Sequence, residues 1–140
     1  MRRLNAWLLA GALLLCAGVA QASLQLRLIT EGLSPAEQQA SQALIDEALR
    51  SLPPRFIEQL DRRIDVGWTD KMPANAYGQA SLVSELDLNR NLLASLTDGS
   101  AATRKTNRPH GTVRREMLAT VLHELTHIYD RARLWPSDER

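Results

Sequence analysis

Apolar residues change their spacing several times along the chain, and each change marks an element. The run from Ala6 to Val19 carries no charge and follows Arg2 and Arg3. Further on, Ala40, Leu44, Ile45, Ala48, Leu49 and Leu52 recur with the period of one helix face. Ser34-Pro35-Ala36-Glu37 opens that helix as a capping box with proline at its first position, and Pro53-Pro54 ends it. Phe56, Ile57, Leu60 and Ile64 predict a shorter helix. The period then drops to two, with Ile64, Val66 and Trp68 on one side of a strand. Within residues 77–89, Leu86 and Leu88 alternate with Glu85, Asp87 and Asn89, the pattern of a half-buried strand with one polar face. Asn91 to Leu96 reads as a short helix ending near Gly99. Residues 97–112 are rich in Ser, Thr, Asn and basic side chains and read as a loop, which at that length is either mobile or functional.

The last periodic segment predicts a helix from Val113 to about Arg133. At about 100° per residue, Met117, Leu118, Val121, Leu122, Leu125, Ile128, Tyr129 and Ala132 fall within an arc of about 140° that faces a core. Glu116, Thr120, His123, His127 and Asp130 gather opposite, with Glu124 and Arg131 on the flank. Gly111-Thr112 supplies an N-cap, although Arg114 and Arg115 in the first turn oppose the helix dipole. Pro136 closes the segment. The fold class expected from these elements is α+β, a small mixed or antiparallel sheet packed on helices, without internal repeats.

The chemistry of the chain is concentrated in that last helix, where residues 123–127 read His-Glu-Leu-Thr-His. Positions i and i+4 lie one turn apart on the same face, so His123 and His127 can offer imidazole nitrogens to one metal ion. Glu124 sits beside them, placed to take a proton from water held at that ion. Histidine is rare enough that the spacing arises by chance in a chain of this length on the order of once in a few hundred.

The longer string His-Glu-Leu-Thr-His-Ile-Tyr-Asp, residues 123–130, resembles the active-site helix of the zincin peptidases, most closely their gluzincin branch. The run through Trp135 also resembles the N-terminal part of large exported bacterial proteins that carry a zincin module. The resemblance implies a zincin-like subdomain, a zinc ion held by His123 and His127, and Glu124 as general base. It also implies that an antiparallel edge strand pairs with extended substrate, and residues 77–89 occupy the corresponding place in chain order. Two departures bear on the ligand set. Metzincins need Gly and then His or Asp where this chain has Asp130 and Arg133, which argues against that branch. Gluzincins take a glutamate from a later helix, for which the sequence after His127 has no room.

A catalytic zinc normally has three protein ligands and water, so one ligand stays open. The candidates are Glu139, Asp138, His110 or a residue beyond Arg140, with the chain read as the front part of a longer protein. Asp130 lies about 10.5 Å along the axis from His123. That is too far to share the ion, and suits a hydrogen bond to a ligand histidine better.

Composition narrows the setting. Arg2 and Arg3, the apolar run and the small-x-small triplet Ala20-Gln21-Ala22 match a secretion signal over residues 1–22, leaving one domain over residues 23–140. The run is short of the ~20 residues a membrane span needs, so no stable anchor is expected after cleavage. Cys16, the only cysteine, would leave with the signal, excluding disulfides and thiolate ligands from the mature domain. Removing Arg2 and Arg3 from 17 basic residues set against 16 acidic ones leaves a near-neutral balance, which gives no electrostatic case for nucleic acid. The expected protein is therefore an exported, periplasmic or secreted zinc hydrolase of peptide bonds or related amides. Its expected partners are peptide, protein or cell-envelope material. The alternative is a non-catalytic zinc-binding envelope or interaction module. No residue is identifiable as the oxyanion partner.

Overall fold

Ser34 begins the first helix as its neighbours require. Its hydroxyl accepts from the Glu37 amide at 3.3 Å while the Glu37 carboxylate accepts from the Ser34 amide at 2.7 Å. The computed structural model describes residues 23–81, 84–103 and 109–134. The expected secretion signal, Trp135, Pro136, Asp138 and Glu139 lie outside them.

In chain order the elements are β1 (Gln25–Leu28), α1 (Pro35–Ser51), α2 (Pro54–Gln59), β2 (Arg63–Thr69), β3 (Gly78–Ser81) and β4 (Glu85–Asn89). A 3-10 helix (Arg90–Leu96), β5 (Ala101–Thr103), β6 (Pro109–Thr112) and α3 (Val113–Leu134) follow. The fold is mixed α and β. Four strands form one sheet in the order β1-β2-β4-β3, with β1, β2 and β4 parallel and β3 antiparallel at the edge. Strands β5 and β6 form a separate antiparallel pair.

Helices α1 and α3 pack over one face of the larger sheet. Leu44, Ile45 and Ala48 of α1 and Met117, Val121, Leu125 and Ile128 of α3 are buried against Ile64, Val66, Leu86 and Leu88. On the opposite face, Arg27 of β1 donates to both carboxylate oxygens of Asp65 in β2, at 2.8 and 2.6 Å. Trp68 lies on the core side, where its indole N–H donates to the hydroxyl of buried Ser41 at 3.0 Å.

Three differences from the sequence pattern have physical causes. Strand β1 was not anticipated, although Leu24, Leu26 and Leu28 alternate with Gln25 and Arg27. It is too short to stand out beside the apolar run that precedes it in sequence, and it is made by pairing with β2. Residues 97–112 are not one long loop, because β5 and β6 pair across them and residues 104–108 fall between the two strands. Residues 77–89 contain two strands, so the alternating segment, β4, is interior to the sheet and β3 is the edge. Asn89 is buried rather than on a polar face. Its amide donates to the carbonyls of Pro73 and Ala76 and its oxygen accepts from the Asn91 amide, so it satisfies a loop folded over it.

Candidate metal centre

The helix that carries the motif starts where the chain can turn into it. Gly111 adopts φ 91°, a backbone conformation that favours glycine, and the Thr112 hydroxyl then accepts from the Arg115 amide at 3.2 Å. Arg114, unfavourable beside the N-terminal dipole, is paired with Glu47 of α1 at 2.5 Å. The Arg114 hydrogen bond holds the Glu47 carboxyl below its usual range.

With Met117, Val121, Leu125 and Ile128 turned into the core, His123 and His127 stand on the exposed side one turn apart. Their Nε2 atoms converge to 2.9 Å, with the rings nearly perpendicular at 88°. Two imidazole nitrogens bound to one tetrahedral zinc stand about 3.3 Å apart, given bonds of about 2.0–2.1 Å. The observed separation, a hydrogen-bond contact between the two rings, is a few tenths of an ångström shorter, so the two nitrogens are close enough to reach one ion. Among the described residues, no group of three His, Cys, Asp or Glu side chains assembles around one point. His110 lies on β6 by its backbone, immediately before α3. Asp130 is exposed on α3 beyond the histidines.

Glu124 leaves the histidine face and turns toward the sheet. Its Oε2 accepts the Ala80 N–H at 2.9 Å. Ala80 pairs with Leu86 in the β3–β4 register, yet its N–H points away from β4, as alternate residues do on an edge strand. The carbonyl of the same residue accepts from Arg131 Nη1 at 3.4 Å. One outward-facing residue of the edge strand is thus bracketed by Glu124 and Arg131, two turns apart on α3. Close packing makes this reach possible. A Cβ on Gly78 would lie 3.0 Å from the Asp87 carbonyl oxygen, from Leu88 Cδ2 and from Thr120 Cγ2.

Histidine spacing was legible in sequence, and so was the flank shared by Glu124 and Arg131. Ala80 carried no signal of its own, because it acts through its backbone. A hollow of about 390 Å³ lined by Glu31, Asp65, Gly67, Trp68 and Asp87 contains none of the motif residues.

The family model described as Domain of unknown function (DUF7844) matches residues 25–140. No curated protein and no solved structure matches the chain.

Proposed function

The chain belongs to the DUF7844 family, and we propose that it is an exported zinc-dependent hydrolase of peptide bonds or closely related amides, built on a zincin-like subdomain. The observation that carries this reading is the convergence of the His123 and His127 Nε2 atoms at 2.9 Å with Glu124 beside them, its carboxylate fixed on the edge strand. An antiparallel edge strand lying along the motif helix supports the same reading, since that strand is where the resemblance puts extended substrate. Residues 1–22, read as a secretion signal, would put the substrate outside the cytoplasm. No described helix is long and apolar enough to cross a membrane.

His123 and His127 would hold the zinc. Bound there, zinc would supply Lewis-acid polarisation of the scissile carbonyl and lower the pKa of water to about 7. The remaining work falls to the chain's own groups. Glu124 keeps Oε2 on the Ala80 amide, which orients the carboxylate and leaves Oε1 to accept a proton from the attacking water. Water oxygen adds to the carbonyl carbon, the C–N bond breaks, and the proton passes from Glu124 to the leaving nitrogen. The edge strand β3 aligns the peptide by backbone pairing.

A second reading, a non-catalytic zinc-binding envelope or interaction module, has one observation in its favour. Only two ligands come together among the described residues. Two substitutions separate the readings. Replacing His123 and His127 by alanine should abolish zinc binding measured by elemental analysis, and undiminished zinc in that variant would remove α3 as the metal site. Glu124→Gln should keep zinc while hydrolysis of a mixed peptide pool falls by about 10² or more. Full activity in this variant would exclude the base, and absence of hydrolysis in zinc-loaded wild-type protein would favour the module.

A further inference from the structure

The guanidinium of Arg131 carries five N–H donors. Among the described residues it makes one hydrogen bond, a 3.4 Å contact to the neutral carbonyl of Ala80. At that length a hydrogen bond is weak. A carboxylate offered to the same planar fork takes two shorter, charge-assisted bonds, each roughly twice as strong as a neutral one. Arg131 therefore stands in a position it would leave for an anion.

Its setting determines what kind of anion. The side chain is half-buried on the flank of α3, two turns past Glu124, so it projects over the edge of β3 rather than into open solvent. The atom it covers is the outward carbonyl of an edge strand, the group that accepts an N–H when another strand is added. A ligand that both removes the guanidinium and uses the carbonyl has a carboxylate and a backbone N–H in one molecule. A neutral peptide has to break the Arg131 contact without supplying a charged replacement.

We propose that Arg131 selects peptides that bring a carboxylate to the β3 edge: the anion draws the guanidinium off the Ala80 carbonyl, and the freed carbonyl accepts an N–H of the same peptide. This deepens the hydrolase reading by naming a substrate class, and it rests on β3 being the substrate edge. Arg131 acts here as a specificity-determining residue, and nothing in the exchange requires metal.

The test uses the isotope-labelled, metal-free full chain, titrated with an N-acetylated alanine-valine peptide ending in a free carboxylate and with the same peptide amidated. The carboxylate form should bind about tenfold more tightly. It should also shift the Ala80 amide and Arg131 Nε–H resonances. Arg131→Gln keeps a neutral donor but loses the charge and the fork, and should reduce the ratio to near one. In wild-type protein the preference should shrink as salt is raised to about 1 M, where screening acts within about 3 Å. That arm decides the question if the variant does not fold. Equal affinity for the two peptides, a preference that survives in Arg131→Gln or in high salt, or no binding of either peptide at millimolar concentration overturns the proposal. Hydrolysis plays no part in these titrations. Failure of the zinc hydrolase reading leaves a carboxylate preference standing, and failure of the preference leaves zinc binding at His123 and His127 untouched.

Discussion

A methyl group at position 78 meets backbone on one side and helix on the other. The Asp87 carbonyl oxygen, Leu88 Cδ2 and Thr120 Cγ2 would each be 3.0 Å away. Gly78→Ala would gain about 0.4–1 kcal/mol from a less flexible unfolded chain. Overpacking of this kind costs about 1–3 kcal/mol, and the Asp87 oxygen cannot swing aside as a side-chain end could. The larger effect decides the sign. Gly78→Ala should destabilise the fold by about 1–2 kcal/mol in denaturant titration. Thr120→Ser removes one of the three clashing atoms and keeps the hydroxyl bond to the Glu116 carbonyl, so the double variant should recover part of the loss. A neutral or stabilising Gly78→Ala would mean that β3 and α3 are not packed this closely. The same push would move Ala80 away from Glu124, which links a packing defect to the position of the candidate base. In sequence Gly78 is an unremarked glycine, since its requirement comes from a helix that follows it by more than thirty residues.

At the scale of elements, helix ends and strand pairs carry the charges. The backbone amide of Ser34 holds the Glu37 carboxyl below its usual range, with help from the Ser34 hydroxyl and Arg90. Arg114 does the same for Glu47, joining α3 to α1. Arg27 does so for Asp65 across β1 and β2, assisted by Arg63. All three groups have folded-state pKa values lowered relative to the unfolded chain. Their stabilisation is complete above the unfolded values of about 4 and disappears as pH falls through the folded ones. The melting temperature should therefore fall on acidification below about pH 4.5, with no change arising from these groups between about pH 5 and 7, where their stabilisation is fully present. Glu37→Gln should make the acid limb shallower by losing its share at neutral pH. An acid limb of unchanged steepness in this variant would contradict the assignment. Elements with strong local signals were legible, as α1 shows by its capping box and α3 by its apolar arc and threonine cap. The two-strand content of residues 77–89 and the β5–β6 pair were not, because a strand is made by a partner distant in sequence, and a period of two does not name that partner.

For the whole molecule, the decisive placement is topological. Strand β4 runs parallel beside β2, and β3 folds back antiparallel onto the edge, which brings Ala80 over α3 although 44 residues separate it from Glu124. No local pattern contains that pairing, whereas the histidine pair is local and was readable from spacing alone. The ligand set is also a property of the whole chain. Zinc that binds only the folded protein should raise its stability by about 2.7 kcal/mol when free metal exceeds the dissociation constant a hundredfold. His123→Ala and His127→Ala should each remove this shift. His110→Ala, Asp138→Ala and Glu139→Ala sort the open position. If one of these three groups completes the site, its removal should weaken zinc binding by about tenfold or more in calorimetric titration, while the other two leave it unchanged, since an open catalytic site uses three protein ligands and water. If all three substitutions are silent while His123→Ala abolishes binding, none of these side chains is the third ligand. The remaining position is then filled from another group, and it is the Glu124→Gln comparison of zinc content with hydrolysis that separates a catalytic site from the non-catalytic module.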